Sequence, residues 1–247
     1  MSSPDAVFDA DTPSLSGLRA VHLLKDLPEP VLQEVAQVCR FRLYRARQGV
    51  ISRDDLDRDC YFIVSGRVRV IALSPGGREV SFRDAGTGET IGEMAAIDGA
   101  PRSATVVALQ DTLLARLSPA DLRGLLQRHW VIAERMLSHL AGIARRLTER
   151  VYELSTLNVQ QRLCAELMRL ALADASAHGR GADNRIVLRP APSHSELAAR
   201  ISSYREQITR ELAELGRAGL VGREDGALVI EDLSRLAERI EAVRTAA

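Results

Sequence analysis

The stretch Thr90-Ile-Gly-Glu-Met-Ala-Ala-Ile-Asp-Gly-Ala-Pro-Arg-Ser-Ala-Thr-Val-Val107 joins a Gly-Glu pair, a short apolar helical turn and a Pro-Arg-Ser segment. Gly92 allows close approach of the backbone, and the turn that follows offers free N–H groups that favour an anion. Arg102 adds a permanently charged bidentate donor for a phosphate, and Ser103 a hydroxyl donor. Because Glu93 would repel a phosphate, we expect it to accept from a sugar hydroxyl. The residues together predict a site for a small cyclic nucleotide.

An N-capped turn followed by a surface arginine is the alternative interpretation, and the Gly-Glu pair alone favours it. The run from Pro101 to Val106 at this spacing favours the ligand site. The segment resembles the phosphate-binding cassette of cyclic-nucleotide-binding domains, whose pattern is Gly-Glu, a few small apolar residues, then Arg-Ser/Thr/Ala-Ala. The resemblance implies a backbone phosphate contact at Gly92 and acceptance from the ribose 2′-hydroxyl by Glu93. It also implies that Arg102 clamps the phosphate with help from Ser103.

The composition is that of an ordinary globular protein of two modest domains, with 247 residues, 46% hydrophobic and 27% charged. A run of about 18 apolar residues is missing, so no membrane span is predicted. The start, Met1–Ser16, is polar and acidic, which favours a mobile tail over a signal peptide. We therefore expect a cytoplasmic protein.

Cysteine usage and charge restrict the classes of function. Cys39, Cys60 and Cys164 are odd in number and far apart, so neither a disulfide framework nor a metal or iron–sulfur spacing is indicated. We expect three buried free thiols and no metal. The net charge is zero, and arginines also balance acidic residues over 158–247. The strongly basic balance that favours nucleic-acid binding is absent.

The first half of the chain changes from a helical to a strand pattern. Helical spacing over residues 17–38, broken by Pro28 and Pro30, predicts two short helices. Short β-rich runs then alternate with Gly- and Pro-rich turns, which indicates a small antiparallel barrel or roll. The predicted strands are Arg42–Arg45, Tyr61–Val64, Arg67–Leu73, Glu79–Phe82, Ala104–Ala108 and Leu113–Leu117. Ser118 and Pro119 then provide the N-cap and first position of a helix.

A long helix is predicted from Trp130 to Leu157. Its apolar residues are spaced by alternating steps of four and three, a heptad seam that indicates a parallel homodimer. A single helix lying on the roll is the alternative. The seam residues are Ala133, Leu137, Leu140, Ala144, Leu147, Val151 and Leu154.

In the family that the cassette resembles, the dimer helices close over the base of the nucleotide through hydroxyl side chains. Alignment on the end of the helix assigns this role to Thr148, with a solvent-facing threonine as the alternative. The predicted ligand-binding residues are Gly92, Glu93, Met94, Arg102, Ser103 and Thr148.

A second domain is predicted to begin at Asn158. Asn158 and Gln161 form an N-cap pair, so one helix ends there and another, through about Ala173, begins. This break is also the candidate hinge. A loop over residues 175–184 and a strand at Ile186–Leu188 follow.

The sequence from Ser193 onward predicts a winged helix-turn-helix. Ser193 and Glu196 form a capping box, Ser202-Ser203 breaks the helix, and Tyr204–Leu215 forms a second one. The apolar runs 219–222 and 227–230 flank the hairpin turn of a wing. An amphipathic helix is expected over Glu231–Ala247; shorter members of the family lack it.

Arg205, Glu206, Thr209 and Arg210 fall on the outer face of that second helix. Arginine pairs with guanine and glutamate with cytosine in the major groove. The pattern resembles the recognition helix of the catabolite-activator branch of the CRP/FNR family, which reads TGTGA-type half-sites. Ser202, in place of a turn glycine, and Tyr204, in place of a small residue, depart from it. Glu206 has an alternative role, completing a capping box with Ser203. The predicted DNA-binding residues are Ser193, Ser203, Tyr204, Arg205, Glu206, Thr209 and Arg210.

The predicted fold is α+β, with an N-terminal antiparallel β-roll, a long dimerisation helix and a C-terminal winged helix-turn-helix domain. Its parts are the tail (1–16), the ligand-binding roll (17–129), the dimerisation helix (130–157) and the DNA-binding domain with an extra C-terminal helix (158–247). The resemblance implies a homodimeric transcription regulator that binds double-stranded DNA and works with RNA polymerase.

Glu93 and Arg102 are expected to bind the ribose phosphate, which is common to cyclic AMP and cyclic GMP, so they do not distinguish the two nucleotides. Cyclic AMP is favoured as the effector, with cyclic GMP as the alternative. One alternative is a regulator of the same fold that needs no nucleotide or senses another ligand. Another is a cyclic-nucleotide-binding regulatory subunit of a partner enzyme. An enzyme is not predicted, since no nucleophile–base pair, P-loop or metal-ligand cluster is found.

Overall fold

The computed structural model describes residues 15–74, 76, 79–178 and 184–241. The chain divides into two compact units. The first unit ends at Ile143 and lacks the segment Ser74–Ser81. The second unit consists of that segment and the chain from Ala144 onward. The predicted boundary at Asn158 therefore lies within the second unit. Residues 1–14 of the predicted tail lie outside the described residues, and helix α1 begins at Leu15.

Two four-stranded sheets built from antiparallel pairs form the roll, as predicted. The sheet orders are β1-β8-β3-β6 and β2-β7-β4-β5. The strands are β1 (Arg40–Tyr44), β2 (Gly49–Ile51), β3 (Cys60–Ser65), β4 (Arg67–Leu73), β5 (Glu79–Gly86), β6 (Thr90–Ile91), β7 (Thr105–Ala108) and β8 (Thr112–Leu117). Strands β2 and β6 were not predicted, because three and two residues are too few to show an alternating pattern.

Short helices close the roll before and after these strands. They are α1 (Leu15–Arg19), a 3-10 turn (His22–Leu24), α2 (Glu29–Val38), α3 (Glu93–Asp98) and α4 (Pro119–Arg128). The predicted cap of α4 is confirmed, since Ser118 Oγ accepts from the Asp121 N–H at 3.1 Å. Strand β3 is buried along most of its length, and Phe62 and Ile63 point into two separate apolar clusters. The site described below is thus carried on a packed scaffold.

Helix α5 spans Trp130–Thr156, in agreement with the predicted long helix. One face contributes Ile132 and Met136 to the core of the first unit. Beside this face and further along the same stripe, large apolar side chains are exposed, namely Leu137, Leu147, Val151 and Leu154. Among the described residues, no helix combines the length and apolarity that crossing a membrane requires.

Helix α6 spans Val159–His178 and begins where the sequence predicts. Asn158 Oδ1 accepts from the Gln161 N–H, and Gln161 Oε1 accepts from the Asn158 N–H, both at 3.0 Å. The helix runs past Ala173, so the predicted loop from residue 175 begins later than expected. Residues 179–183 of that loop lie outside the described residues.

The rest of the second unit is a three-stranded sheet and three helices. They are β9 (Ile186–Leu188), α7 (His194–Arg200), α8 (Arg205–Arg217), β10 (Val221–Glu224), β11 (Ala227–Ile230) and α9 (Leu233–Glu241), with sheet order β10-β11-β9. The capping box of α7 is confirmed, because Ser193 and Glu196 exchange hydrogen bonds at 2.9 and 3.2 Å. Ser202 has a φ of 55°, the left-handed conformation that a turn glycine would favour. The winged helix-turn-helix prediction is confirmed.

The extra C-terminal helix packs on its own unit. Leu236 of α9 is fully buried in the apolar cluster that also contains Leu163 and Leu167 of α6. Gln161 Nε2 donates to the carbonyl of Ile240 at 3.0 Å. The contacts settle where the helix lies up to Glu241, and residues 242–247 are outside the described part of the chain.

Charged side chains join the end of α5 to α6 and α7, and we name Glu153, Arg169, Glu166 and Arg200 the junction network. Arg169 donates to both Glu153 (Nη2 to Oε2, 3.2 Å) and Glu166 (Nε to Oε2, 3.0 Å). Arg200 Nη1 donates to Glu166 at 3.2 Å. Both carboxylates are buried, whereas the side chain of Arg169 is 43% exposed and that of Arg200 is 14% exposed. The last turns of α5 are therefore bound to the second unit.

Candidate functional site

The turn between β6 and α3 needs glycine at position 92. Gly92 has a φ of +76° and is the N-cap of α3. A Cβ there would lie 2.7 Å from the Asp59 carbonyl oxygen and 2.8 Å from Arg102 Nη1. The backbone of Gly92 can therefore lie against the Arg102 guanidinium only because it has no side chain.

Arg102 is buried and bound to the turn. Its Nη1 donates to the Gly92 carbonyl at 3.1 Å, and its Nη2 donates to Asp57 Oδ1 at 2.7 Å and to the Asp59 carbonyl at 2.8 Å. Its Nε is buried and has no hydrogen-bond partner among the described residues. A buried N–H group without an acceptor destabilises the folded state, and an anionic ligand would supply that acceptor.

Three charged residues near Arg102, namely Asp57, Asp59 and Arg116, were not predicted from the sequence as part of the site. Arg116 of β8 lies opposite Tyr61 of β3 in the strand register. It forms an ion pair with Asp59 and lies 3.8 Å from Asp57. Since this arrangement depends on strand pairing between distant segments, no local motif marks it.

Glu93 is buried at the start of α3 and faces the long helix. Its Oε1 lies 3.2 Å from Nε2 of His139 on α5. His139 was not predicted as part of the site, because the heptad seam drew attention to the apolar positions of α5. The contact links the predicted ribose acceptor to this helix within the first unit.

The other predicted ligand-binding residues show no contact with Glu93 or with the Arg102 guanidinium among the hydrogen bonds of the described residues. Ser103 follows Arg102 and is exposed, and the Met94 side chain is also exposed. Thr148 belongs to the second unit, and its hydroxyl donates to the Ala144 carbonyl at 3.0 Å. Its role as a base contact stays a prediction.

Metal and thiol chemistry are not indicated here. Within the described ranges, no group of three or more His, Cys, Asp or Glu side chains is arranged to hold a metal ion. Burial, followed by the charge of Glu93, raises the pKa of the Cys60 thiol well above its ordinary value. Cys60 thus stays protonated and is a packing residue. All three cysteines are free, and Cys39 is only half-buried.

Gly92→Ala is expected to destabilise the first unit and displace Arg102. The strain of a left-handed residue costs about 1–3 kcal/mol, and the collisions with the Asp59 carbonyl oxygen and the Arg102 guanidinium add to it. Gly99→Ala is the matched control, since Gly99 has a φ of +73° but open space around its Cβ position. Thermal unfolding of both variants separates strain from collision. Equal losses of stability would contradict the close approach of the Asp59 carbonyl and Arg102 to Gly92.

The surface of α8 presents most of the predicted DNA-binding residues. Arg205, Glu206, Thr209 and Arg210 are exposed, whereas Ile208 is buried in the core. This matches the predicted outer and inner faces.

Two details of α8 differ from expectation. Its N-cap is Tyr204, with no side-chain cap hydrogen bond, so the alternative capping box between Ser203 and Glu206 is wrong. Ser203 is buried in the turn, which removes it from the surface that carries the other residues. Tyr204 is exposed beside Arg205. Glu206 is consequently not needed for helix capping.

His194 and Arg223 join this surface and were not predicted. His194 Nδ1 lies 2.8 Å from Thr209 Oγ1, and Arg223 Nη2 lies 3.1 Å from His194 Nε2. Thr209 Oγ1 donates to the Arg205 carbonyl at 3.0 Å. A neutral imidazole that donates through Nδ1 and accepts through Nε2 satisfies the chain. Arg223 of the wing is thereby linked to α8.

We expect His194 to titrate below its ordinary pKa of 6.5, because burial and then the charges of Arg223 and Arg205 lower it. A lowered pKa means that the unfolded chain binds the proton more readily. The link therefore contributes fully above about pH 6.5 and is lost as the pH falls through the folded-state pKa. NMR titration of the imidazole should show the shift, with His194→Gln assigning the signal. Arg223→Ala should raise this pKa, and an unchanged value would contradict the link.

Family comparisons cover both units. The sequence model for the cyclic nucleotide-binding domain matches residues 41–129, and that for the Crp-like helix-turn-helix domain matches residues 161–239. The cyclic AMP receptor protein of Thermus thermophilus is 32% identical over 80% of this chain and 86% of the relative.

Solved structures share the fold. The c-di-GMP-responsive global regulator CLP of Xanthomonas campestris has a TM-score of 0.70 at 24% identity, covering 82% of this chain and 99% of that one. A CooA variant from Carboxydothermus hydrogenoformans has a TM-score of 0.73 at 18% identity, covering 90% and 95%. Curated relatives from Mycobacterium tuberculosis and Salmonella typhimurium are named as cAMP-activated global transcriptional regulators, which are not enzymes. The chain belongs to the CRP/FNR superfamily of transcription regulators, with an N-terminal cyclic nucleotide-binding domain and a C-terminal helix-turn-helix domain.

Proposed function

We propose that the protein is a homodimeric regulator that binds cyclic AMP, or failing that cyclic GMP, and responds by binding palindromic DNA. The observation that carries this proposal is the buried Arg102, whose unpartnered Nε lies beside the turn of Gly92 and the buried Glu93. A cyclic phosphate and a ribose 2′-hydroxyl are the groups that this guanidinium and this carboxylate accept best. The relative from Thermus thermophilus is named as a cyclic AMP receptor.

The nucleotide is placed by its ribose phosphate. Arg102 and Ser103 bind the phosphate, Glu93 accepts from the ribose, and Met94 lies at the exposed edge of the same turn. Thr148 is the proposed base contact. Because the ribose phosphate is common to both nucleotides, the preference for cyclic AMP rests on this single hydroxyl and on the names of the relatives.

The exposed side of α5 supports a parallel dimer. Leu137 and Val151 are about 60% exposed in one chain, and apolar side chains at heptad spacing are stable in water only against a partner. Such a dimer presents two α8 helices with twofold symmetry. The expected operator is therefore a palindrome with TGTGA-like half-sites one helical turn apart.

DNA recognition is assigned to the exposed face of α8. Arg205 and Arg210 read guanines and Glu206 reads cytosine, with Ser193, Tyr204 and Thr209 around them. Zero net charge implies weak non-specific binding, so base contacts and the effector supply the selectivity. The bound dimer acts on cytoplasmic DNA through RNA polymerase.

A regulator that answers a different ligand is the alternative. The neighbour CLP is described as responsive to c-di-GMP, and the same fold therefore serves more than one effector. The recognition face of α8 is retained under this alternative, whereas the role of Glu93 and Arg102 changes.

Calorimetric titration with cyclic AMP, cyclic GMP and cyclic di-GMP tests the proposal. Binding to a palindromic TGTGA duplex is then measured with and without each nucleotide. We expect one mononucleotide to bind and to tighten DNA binding, with the same factor appearing in reverse as linkage requires. DNA binding that is unaffected by all three would contradict the proposed effector class while leaving the DNA-binding role in place.

A further inference from the structure

A carboxylate of the chain itself is bonded to the guanidinium proposed to hold the phosphate. Asp57 Oδ1 lies 2.7 Å from Arg102 Nη2. The arginine side chain is 2% exposed and the aspartate 38%. The guanidinium is buried, but the carboxylate remains in contact with solvent. An anion from solution can therefore replace this carboxylate on the guanidinium.

The donors of Arg102 show which of its bonds compete with a ligand. Nη2 has two N–H groups, and they are directed to Asp57 Oδ1 and to the Asp59 carbonyl. Nε and Nη2 form one edge of the planar fork, the arrangement that matches two oxygens of a phosphate. Since Nε has no partner within the described part of the chain, the edge is half used. Bidentate binding there requires Nη2 to give up one acceptor.

Asp57 is the acceptor that can leave. The Asp59 carbonyl belongs to the backbone that leads into β3, whereas the Asp57 carboxylate moves by side-chain rotation alone. A second guanidinium is near, because Arg116 Nη2 lies 3.8 Å from Asp57 Oδ2. Arg116 is about half exposed and already pairs with Asp59. Rotation of Asp57 towards Arg116 therefore exchanges one ion pair for another.

We propose that Asp57 is an internal competitor for the ligand phosphate, and that ligand binding transfers its carboxylate from Arg102 to Arg116. The inference rests on the cyclic-nucleotide site proposed above and adds a residue that sets its affinity. Because an anion binds a guanidinium more strongly than a neutral acceptor does, competition with the Asp57 carboxylate favours anionic ligands over neutral ones. The exchange lowers affinity below what Arg102 alone would give.

Asp57→Asn tests the competition. The amide keeps the size of the side chain and removes its charge, so cyclic AMP and cyclic GMP should bind about tenfold or more tightly, judging from charge repulsion at this range. A residue that merely holds Arg102 in place would weaken binding when replaced. Asp111→Asn is the control, since Asp111 pairs with Arg45 at 2.7 Å on an exposed surface. Calorimetric titration of wild type and both variants gives the comparison.

Arg116→Gln tests the transfer. It should weaken nucleotide binding in the wild-type background, because the displaced carboxylate loses its second partner. In the Asp57→Asn background the same change should have little effect, as a double-mutant cycle requires of coupled residues. Equal effects in both backgrounds would overturn the transfer.

The outcomes separate this inference from the proposed function. If the wild type binds the nucleotide and Asp57→Asn binds it equally well or more weakly, the role of Asp57 as a competitor is overturned and the proposed function is not. Absence of binding to either nucleotide by wild type and by Asp57→Asn would overturn both. Thermal unfolding of each variant verifies that the roll is folded during the titrations.

Discussion

Replacing Arg102 by alanine is expected to abolish measurable nucleotide binding at concentrations that saturate the wild type. The variant loses the only buried guanidinium that contacts the Gly92 turn among the described residues. Removing one partner of a buried, hydrogen-bonded charge pair in a complex costs about 2–5 kcal/mol, which corresponds to about thirtyfold to a few thousandfold in Kd. Calorimetric titration with cyclic AMP and cyclic GMP measures the loss.

The control for this prediction is Arg45→Ala. Arg45 also pairs with an aspartate, Asp111, but the pair is exposed, and exposed pairs contribute about 0–1 kcal/mol. Nucleotide affinity should therefore stay close to that of the wild type. Retained affinity in a folded Arg102→Ala protein would exclude the clamp and direct attention to the other-ligand alternative.

Arg205→Ala is expected to weaken operator binding by about 1–3 kcal/mol for each half-site, the value of one bidentate arginine–guanine contact. Because a symmetric dimer carries the change twice, the total is about 2–6 kcal/mol. The variant should also lose its preference for the contacted guanine. Fluorescence anisotropy with the operator duplex and with duplexes substituted at that base, all at one salt concentration, measures both effects.

Arg217→Ala is the matched control on the same helix. Arg217 lies in the last turn of α8 and is exposed, so its removal takes away the same charge without removing a residue from the recognition face. Base preference should be unchanged. If Arg205→Ala and Arg217→Ala reduced binding equally and on all sequences, Arg205 would be a phosphate contact rather than a base reader.

The sequence was sufficient for the features that depend on local pattern. The alternation of strand and turn residues predicted the roll, and the heptad spacing predicted α5 close to its observed ends. Gly92, Glu93 and Arg102 lie in one short segment, so their spacing alone suggested a common site. The cap residues Ser118, Asn158 and Ser193 were likewise predictable, because a cap is satisfied within a few positions of the chain.

What the sequence did not reveal depends on contacts between distant elements. Asp57 and Arg116 come together through the register of β3 and β8, and a single-residue shift would separate them. His139 reaches Glu93 because α5 packs on the first unit. The link from His194 to Arg223 requires the wing to fold back on α7. None of these residues belongs to a motif, and charged side chains are ordinarily interpreted as solvent-exposed.

The junction network makes the end of α5 move together with α6 and α7. From Ala144 to Thr156 the helix extends about 18 Å at 1.5 Å per residue, and its far end is anchored to α6 and α7 through Glu153 and Glu166. A rotation of about 10° over this length displaces its far end by about 3 Å. Bending at Asn158 by that amount would break the ion pairs of the junction network. We therefore expect the part of α5 from Ala144 onward to move together with the helix-turn-helix, which belongs to the same unit.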